Sequence, residues 1–179
     1  MKNFGYKNTI YLLIASVLTF LLLSKCKPVE YNVPKTPVIK LLELSQLKDS
    51  FGIDSVIKYN LSFTDGDGDL GLGNSDTQSP FRFGEPYFSN LRVILSYQDA
   101  SNNWIEGSED SLFLYQRIEN VTPKGKYKSL KGNIQTFVRA RPTPFFSHRK
   151  IKLKFILIDR SLNQSNIIET GEISLKHEL

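Results

Sequence analysis

Residues 57–63 read Ile-Lys-Tyr-Asn-Leu-Ser-Phe, and this stretch indicates the fold class. Large apolar side chains stand at every second position and alternate with polar ones. That is the period of a β-strand with one buried and one solvated face. Residues 151–159 repeat the pattern, with apolar side chains alternating with two lysines before a fully apolar end. Further strands are predicted at 38–44, 91–97, 111–118, 133–140 and 167–175.

No segment carries a long apolar stripe at helical spacing. The nearest exception is 40–48, where leucines recur at every third position; we interpret it as strand plus loop, with one short helix as the alternative. Seven short strands separated by turn-forming clusters predict an all-β fold, a single antiparallel β-sandwich of immunoglobulin-like type. Trp104 lies between turn residues and is interpreted as a core plug, with a surface aromatic as the alternative.

The N-terminus has the three parts of a secretory signal. Lys2 and Lys7 precede an apolar run, Ile10 to Leu23, and the only cysteine, Cys26, follows directly. Fourteen helical residues span about 21 Å, short of a ~30 Å hydrocarbon core, which favours an export signal over a membrane-spanning helix. The cysteine's placement resembles a bacterial lipoprotein signal, in which its thiol is lipidated. An uncleaved anchor and plain secretion are the alternatives.

Three prolines between residues 28 and 37 favour an extended backbone, and residues 26–36 are therefore interpreted as a semi-rigid tether. An irregular arm packed along the domain is the alternative. The predicted organisation is a helical, lipoprotein-type signal peptide at 1–25, the tether at 26–36, and the β-sandwich domain at 37–179.

The charge balance argues against a nucleic-acid partner. The chain of 179 residues has a net charge of +5, but its first 25 residues contribute three lysines and no acid. Without that leader, 20 basic residues face 18 acidic ones, so no global basic footprint is left. One cysteine excludes an internal disulfide and a multi-cysteine zinc site, and two histidines argue against a His-rich metal centre.

An acidic, glycine-rich segment at 63–73 reads Phe-Thr-Asp-Gly-Asp-Gly-Asp-Leu-Gly-Leu-Gly. Carboxylates at alternate positions can converge on one point, and calcium prefers six to eight oxygen ligands. Two interpretations stay open: a calcium site, and a solvated acidic turn whose aspartates bond local amides. The segment is no proper EF-hand loop, because a leucine replaces the central glycine and the loop follows a strand. The predicted ligands are Asp65, Asp67, Asp69 and, at the twelfth position, Asp76.

Two further segments are candidates for function. Residues 158–166, Ile-Asp-Arg-Ser-Leu-Asn-Gln-Ser-Asn, are interpreted as a structural hairpin turn, with a ligand-contacting loop as the alternative. A basic stretch at 139–154 is interrupted by a proline-rich, aromatic loop that can stack on a sugar or fill a partner's pocket. A solvated strand face with both phenylalanines in the core is the alternative. The candidate partner-binding residues are Phe145, Phe146, Arg141 and Arg149.

The leader, the segment Pro-Val-Ile-Lys-Leu at 37–41, the loop F-T-D-G-D-G-D-L-G at 63–71 and the segment D-R-S-L-N-Q-S-N-I-I-E-T at 159–170 together resemble a group of uncharacterised Bacteroidota surface lipoproteins. The resemblance implies lipid anchoring and a β-sandwich, and it implies no established activity. Lys25, just before the cysteine, departs from the small residue usual in such leaders.

No motif for catalysis is present. The sequence lacks a Gly-x-Ser-x-Gly elbow, a phosphate-binding P-loop and a His-Glu-x-x-His helix. We expect a non-catalytic, lipid-anchored protein of the cell envelope, in the outer membrane, that binds a protein or glycan partner with calcium stiffening the acidic loop. The alternative is a structural accessory subunit of an envelope complex without a ligand of its own. A small glycan-active enzyme is a weaker third hypothesis.

Overall fold

A computed structural model describes residues 33–107, 114–124, 128–140 and 149–176. Its regular structure consists of β-strands, and in these ranges no helix is long and apolar enough to cross a membrane. The predicted signal peptide with Cys26, and most of the tether, lie outside the described residues. The strands are β1 (Val38–Lys48), β2 (Asp54–Asp65), β3 (Leu91–Gln98), β4 (Trp104–Gly107), β5 (Leu130–Arg139), β6 (Lys150–Leu157), β7 (Ile168–Glu169) and β8 (Ile173–Ser174).

The strands form two antiparallel sheets packed face to face. One sheet has the order β1-β2-β5, and the other has the order β4-β3-β6-β7, with β8 also paired to β6. The first, second and fifth strands thus share one sheet while the third, fourth, sixth and seventh share the other. Each sheet thus combines strands that are distant in the sequence, which makes the fold a two-sheet antiparallel sandwich. The predicted all-β antiparallel sandwich is confirmed.

The core lies between the sheets and is built from the alternating residues of the central strands. β2 contributes Ile57, Tyr59, Leu61 and Phe63, all buried, and β6 contributes Ile151, Leu153, Phe155 and Leu157, all fully buried. The Tyr59 and Phe155 rings meet at 4.6 Å between centroids, at a tilt of 46°. Each such side chain contributes roughly 1.5–3 kcal/mol when removed from water, so the period of two stabilises the packing directly.

β1 is a strand over its whole length, so neither a helix nor a loop forms within 40–48. Its register against β2 shifts between Leu41 and Glu43, which marks a β-bulge. The bulge places Leu41 opposite Leu61 and Leu44 opposite Tyr59, both partly buried against the core. The spacing of three between these leucines therefore comes from an extra residue in a strand rather than from helical turns.

The remaining differences from the predicted strands lie at the sheet edges. Residues 114–118 form only an isolated bridge, Leu91 to Gln116, and 111–113 lie outside the described residues. β4 is an additional strand, and Trp104 on it is a surface aromatic, half-buried, with Lys152 Nζ 4.4 Å from its ring centroid. The last predicted strand is divided into β7 and β8, where the Thr170 hydroxyl accepts a hydrogen bond from Leu153 N.

Candidate metal centre

Two carboxylates meet where the central strands of the two sheets end. Asp65 is the last residue of β2, and Asp159 follows β6 by two positions; both are almost fully buried. The loop after β2 brings Asp67 and Asp69 to the same place. One carboxylate oxygen from each of the four residues lies within 4.8 Å of the others. The topology of the sandwich therefore gathers four acids from two distant segments into one cluster, which we call the Asp cluster.

Close backbone packing fixes the loop that carries three of these acids. Gly68 has φ +64°, and a Cβ on it would lie 1.6 Å from the carbonyl oxygen of Lys128. Gly71 has φ +90°, with the carbonyl oxygen of Glu119 2.0 Å from such a Cβ. Only glycine meets both requirements at these positions. Leu70, between them, is fully buried in the core, which explains why a leucine stands where an EF-hand loop needs glycine.

The turn after β6 is hydrogen-bonded to itself and to this loop. Asp159 accepts hydrogen bonds from Asn163 N at 2.7 Å and Asn163 Nδ2 at 2.8 Å. Ser161 Oγ donates to Asp69 Oδ2 at 2.6 Å, and Arg160 N donates to the Asp69 carbonyl at 3.2 Å. The segment Asp-Arg-Ser-Leu-Asn is therefore a structural turn, and it also supplies one acid of the cluster.

Several oxygens of the cluster have no donor. Both oxygens of Asp65, Oδ1 of Asp67 and Oδ1 of Asp69 are buried and accept no hydrogen bond from the described residues. Within the same ranges, no salt bridge includes any acid of the cluster. A buried carboxylate without a partner is costly, because the charge loses its hydration and gains nothing in return. The cluster therefore requires protons or a cation.

The burial and mutual proximity of these carboxylates raise the pKa values of two of them. Burial raises the pKa of Asp65 to about 7, reinforced by the negative charges of Asp67, Asp69 and Asp159 and by the carboxyl contact with Asp67. Burial also raises the pKa of Asp159, although its hydrogen bonds from Asn163 oppose the change. Like charges at these distances resist simultaneous ionisation. A bound cation would remove the repulsion and supply the missing partner for each oxygen.

The cluster can hold a metal ion. Calcium binds oxygens at about 2.3–2.6 Å, so two ligands on opposite sides of the ion lie about 4.6–5.2 Å apart. The 4.8 Å limit on the oxygen separations falls in that range. The cluster combines buried Asp65 and Asp159 with half-buried Asp67 and Asp69, which leaves one side open for further oxygen ligands.

Asp76, predicted as the fourth ligand, is not part of the cluster. Its carboxylate pairs with Arg160, with Oδ1 2.8 Å from Nη2, and accepts a 2.7 Å hydrogen bond from Gly73 N. The hydrogen bond from Arg160 is the main reason that its pKa is lowered. The EF-hand spacing of twelve fails here because the chain turns at Leu70 into the core. Asp159 takes the fourth place instead.

The predicted partner-binding loop is only partly described. Phe145, Phe146 and Arg141 lie outside the described residues, and Arg149 is exposed. The lysines of the basic stretch on β6 are paired with acids on neighbouring strands or beside them: Lys150 with Glu172, Lys152 with Glu169, and Lys154 with Glu106 and Glu169. The hydrogen bond from Lys154 to Glu106 raises the lysine's pKa. This part of the basic stretch is therefore a neutralised strand face.

Sequence reasoning missed Asp159 as a cluster residue. The fourth acid lies about ninety positions from the other three, and no local spacing connects them. One signal was available: both acidic segments directly follow a strongly alternating strand, and such strands occupy the centres of the two sheets. Pairing the ends of those two strands would have brought Asp159 to Asp65.

The fold and the cluster together define a class: an all-β sandwich with a buried acidic cluster, able to hold a metal ion, where its central strands end. Comparison with known proteins adds no narrower assignment, since no family model, curated protein or solved structure matches the chain significantly.

Proposed function

We propose that this chain is a lipid-anchored protein of the cell envelope, without catalytic activity, whose β-sandwich binds calcium and presents its loops to a glycan or protein partner. One observation carries the proposal: both oxygens of Asp65 are buried, without a donor, among three further carboxylates. A cation is the simplest group that satisfies all of them at neutral pH. Binding it would fasten the turn after β6 to the loop after β2.

Calcium is the metal that this donor set favours. All four side chains offer hard carboxylate oxygens, and no histidine or cysteine lies in the cluster. Calcium accepts irregular geometries with six to eight oxygens, whereas magnesium needs a near-ideal octahedron and keeps several waters. An exported domain also meets calcium at high concentration outside the cell. These points support calcium over magnesium and over transition metals.

A calcium titration followed by thermal unfolding tests the metal claim. We expect the melting temperature to rise with calcium, because a ligand that binds only the folded state stabilises it by about 2.7 kcal/mol at a hundredfold excess over Kd. Asp159→Asn should abolish most of this rise. Asp76→Asn is the matched control, since it removes the same charge from the same end of the sandwich but outside the cluster.

The metal claim fails if millimolar calcium leaves the melting temperature of the wild-type protein unchanged. It also fails if Asp76→Asn reduces the calcium response as strongly as Asp159→Asn, because the four residues of the cluster would then not be the ligands. Asp76→Asn should instead lower the stability with and without calcium alike, by about 1–3 kcal/mol, through loss of its bond to Arg160.

Lipid anchoring is supported by the leader and by the position of Cys26. We expect radiolabelled fatty acid to enter the wild-type protein in cells and not to enter Cys26→Ala. Lys25→Gly is the control, because it places a small residue before the cysteine and should label at least as well as the wild-type protein. Equal labelling of Cys26→Ala would end the lipoprotein proposal and leave the calcium proposal intact.

A further inference from the structure

A second feature of the molecule lies apart from the Asp cluster. The last third of the long connection from β2 to β3, together with Arg92 and Tyr115, lines an open cleft of about 720 Å³. This volume falls within the range of small-molecule sites. None of the cluster's acids lines it. The lining that matters for recognition is Phe83, Glu85, Phe88, Ser89, Arg92 and Tyr115.

An exposed aromatic ring forms one wall of the cleft. Phe83 is 83% exposed, and its ring meets that of Phe88 edge-on at 5.1 Å between centroids. Phe88 is held in turn by Arg117, whose Nη1 donates to the Phe88 carbonyl at 2.6 Å and whose Cζ lies 4.9 Å from the ring centroid. An exposed apolar ring gains free energy when a ligand covers it.

Arg92 gives the cleft its charge. The side chain is half-buried, and within the described residues it forms no salt bridge. Its Nε is buried and has no acceptor, its Nη2 makes a long 3.4 Å contact with the Pro86 carbonyl, and its Cζ lies 5.5 Å from the Tyr87 ring centroid, a contact that leaves the in-plane N–H donors unused. Glu85 does not neutralise it, because that carboxylate pairs with Arg82 at 2.8 Å. The guanidinium therefore has hydrogen-bonding capacity left for an anion.

We propose that this cleft binds a sugar unit that bears a carboxylate, with the apolar face of the sugar ring on Phe83 and the carboxylate on Arg92. This inference deepens the glycan arm of the function proposed above. A guanidinium offers a planar pair of donors that matches a carboxylate, and hydrogen bonds between two charged groups are about twice as strong as neutral ones. The adjacent aromatic wall suits a flat ring better than an extended acidic peptide.

The test uses the protein in a calcium-containing buffer and an oligosaccharide that contains glucuronate. Its carboxyl-reduced form, in which each glucuronate becomes glucose, is the matched control ligand. Calorimetry should give an affinity for the acidic form at least about tenfold higher than for the reduced form. Arg92→Gln should lower the affinity to that of the reduced form, and Phe83→Ala should weaken the binding of both forms.

Further variants keep the result decisive. Lys40→Gln, which removes one positive charge from the exposed face of the other sheet, should bind as the wild-type protein does. Arg92→Lys keeps the positive charge but lacks the planar pair of donors, so its affinity for the acidic oligosaccharide should lie between those of the wild-type protein and Arg92→Gln. If Arg92→Gln fails to fold, Arg92→Lys and Phe83→Ala together test the proposal. The calcium-induced melting shift, measured on the same proteins, should be unchanged, so the two proposals fail separately.

Three results would overturn the inference. Equal affinity for the acidic and reduced oligosaccharides would remove the carboxylate from recognition. Binding of a poly-glutamate peptide without binding of the oligosaccharide would show that the cleft serves an acidic protein partner. Retained affinity in both Arg92→Gln and Phe83→Ala would place any glycan elsewhere on the molecule.

Discussion

Gly68 and Gly84 share a left-handed backbone conformation, with φ +64° and +84°, but their surroundings differ. A Cβ on Gly68 would overlap the Lys128 carbonyl, whereas nothing lies within 4 Å of one on Gly84. We expect Gly84→Ala to cost only the conformational penalty, roughly 1–2 kcal/mol. Gly68→Ala should cost more than about 3 kcal/mol, since the loop must also move off residue 128. Urea unfolding measures both.

Gly171→Ala provides the baseline for this comparison. Gly171 has no positive φ and nothing within 4 Å of a built Cβ, so its substitution should change the free energy of unfolding by less than about 0.5 kcal/mol. If Gly68→Ala and Gly84→Ala lowered the free energy of unfolding equally, the acidic loop would not be packed on the Lys128 backbone. The rigid placement of the Asp cluster would then lose its support.

Asn166 joins the turn after β6 to the first strand of the other sheet. Its Oδ1 accepts from Ile39 N at 2.9 Å, and its Nδ2 donates to the Ile39 carbonyl at 3.0 Å, so the amide imitates a paired strand residue. We expect Asn166→Ala to lower the free energy of unfolding by about 1–3 kcal/mol, because two hydrogen bonds that link the sheets are lost. Urea unfolding at neutral pH gives this value.

The neighbouring Gln164 is the control for Asn166. Its side chain is exposed and forms no hydrogen bond with the described residues, so Gln164→Ala should be nearly neutral. Asn166→Ala should also accelerate hydrogen exchange at the Ile39 amide. Unchanged protection of that amide would contradict the role of Asn166 as a clamp between the sheets.

The central strands could be predicted from the sequence because the residues that are buried in the core are the apolar ones of the alternating pattern. β2 alternates over its length and β6 alternates up to Phe155, and both lie between neighbours in their sheets, so a period of two describes most of each strand. The edges were less predictable, because β4 has only four residues and the last strand is divided where Thr170 bonds to β6. Short edge strands depend on a partner more than on their own composition.

Only the part of the candidate metal centre that is local in sequence could be predicted. Asp65, Asp67 and Asp69 are close in sequence, and local spacing is enough to bring them together. Tertiary structure places Asp159 in the Asp cluster and keeps Asp76 out of it. The chain enters the core at the buried Leu70, and the Asp76 carboxylate is hydrogen-bonded to Arg160. Local patterns predict local sites, whereas a site shared between two sheets requires the topology.

The Asp cluster connects the stability of the whole domain to pH. In the metal-free protein, Asp65 has a pKa of about 7, against an ordinary value of 3.8. Between these values the folded state holds more protons than the unfolded state, so the free energy of unfolding decreases as pH rises from about 4 to about 7 and levels off above that. One proton gives a slope of at most about 1.4 kcal/mol per pH unit. The raised pKa of Asp159 acts in the same direction.

We therefore expect the melting temperature of the protein in a chelator to fall between pH 5 and pH 8, and this fall to be smaller in Asp65→Asn. Asp76 does not confound the measurement, because its pKa is lowered and it titrates below this window.

Calcium competes with the protons for the same oxygens, so its stabilisation of the folded state should be smallest at pH 5 and largest at pH 8. An equal pH slope in Asp65→Asn would contradict the buried, unpartnered carboxylate on which the metal proposal rests. An ion held by these four acids weakens their mutual repulsion most at the pH where all of them are ionised. If the melting temperature fell more steeply with pH in calcium than in the chelator, the cation would therefore bind elsewhere.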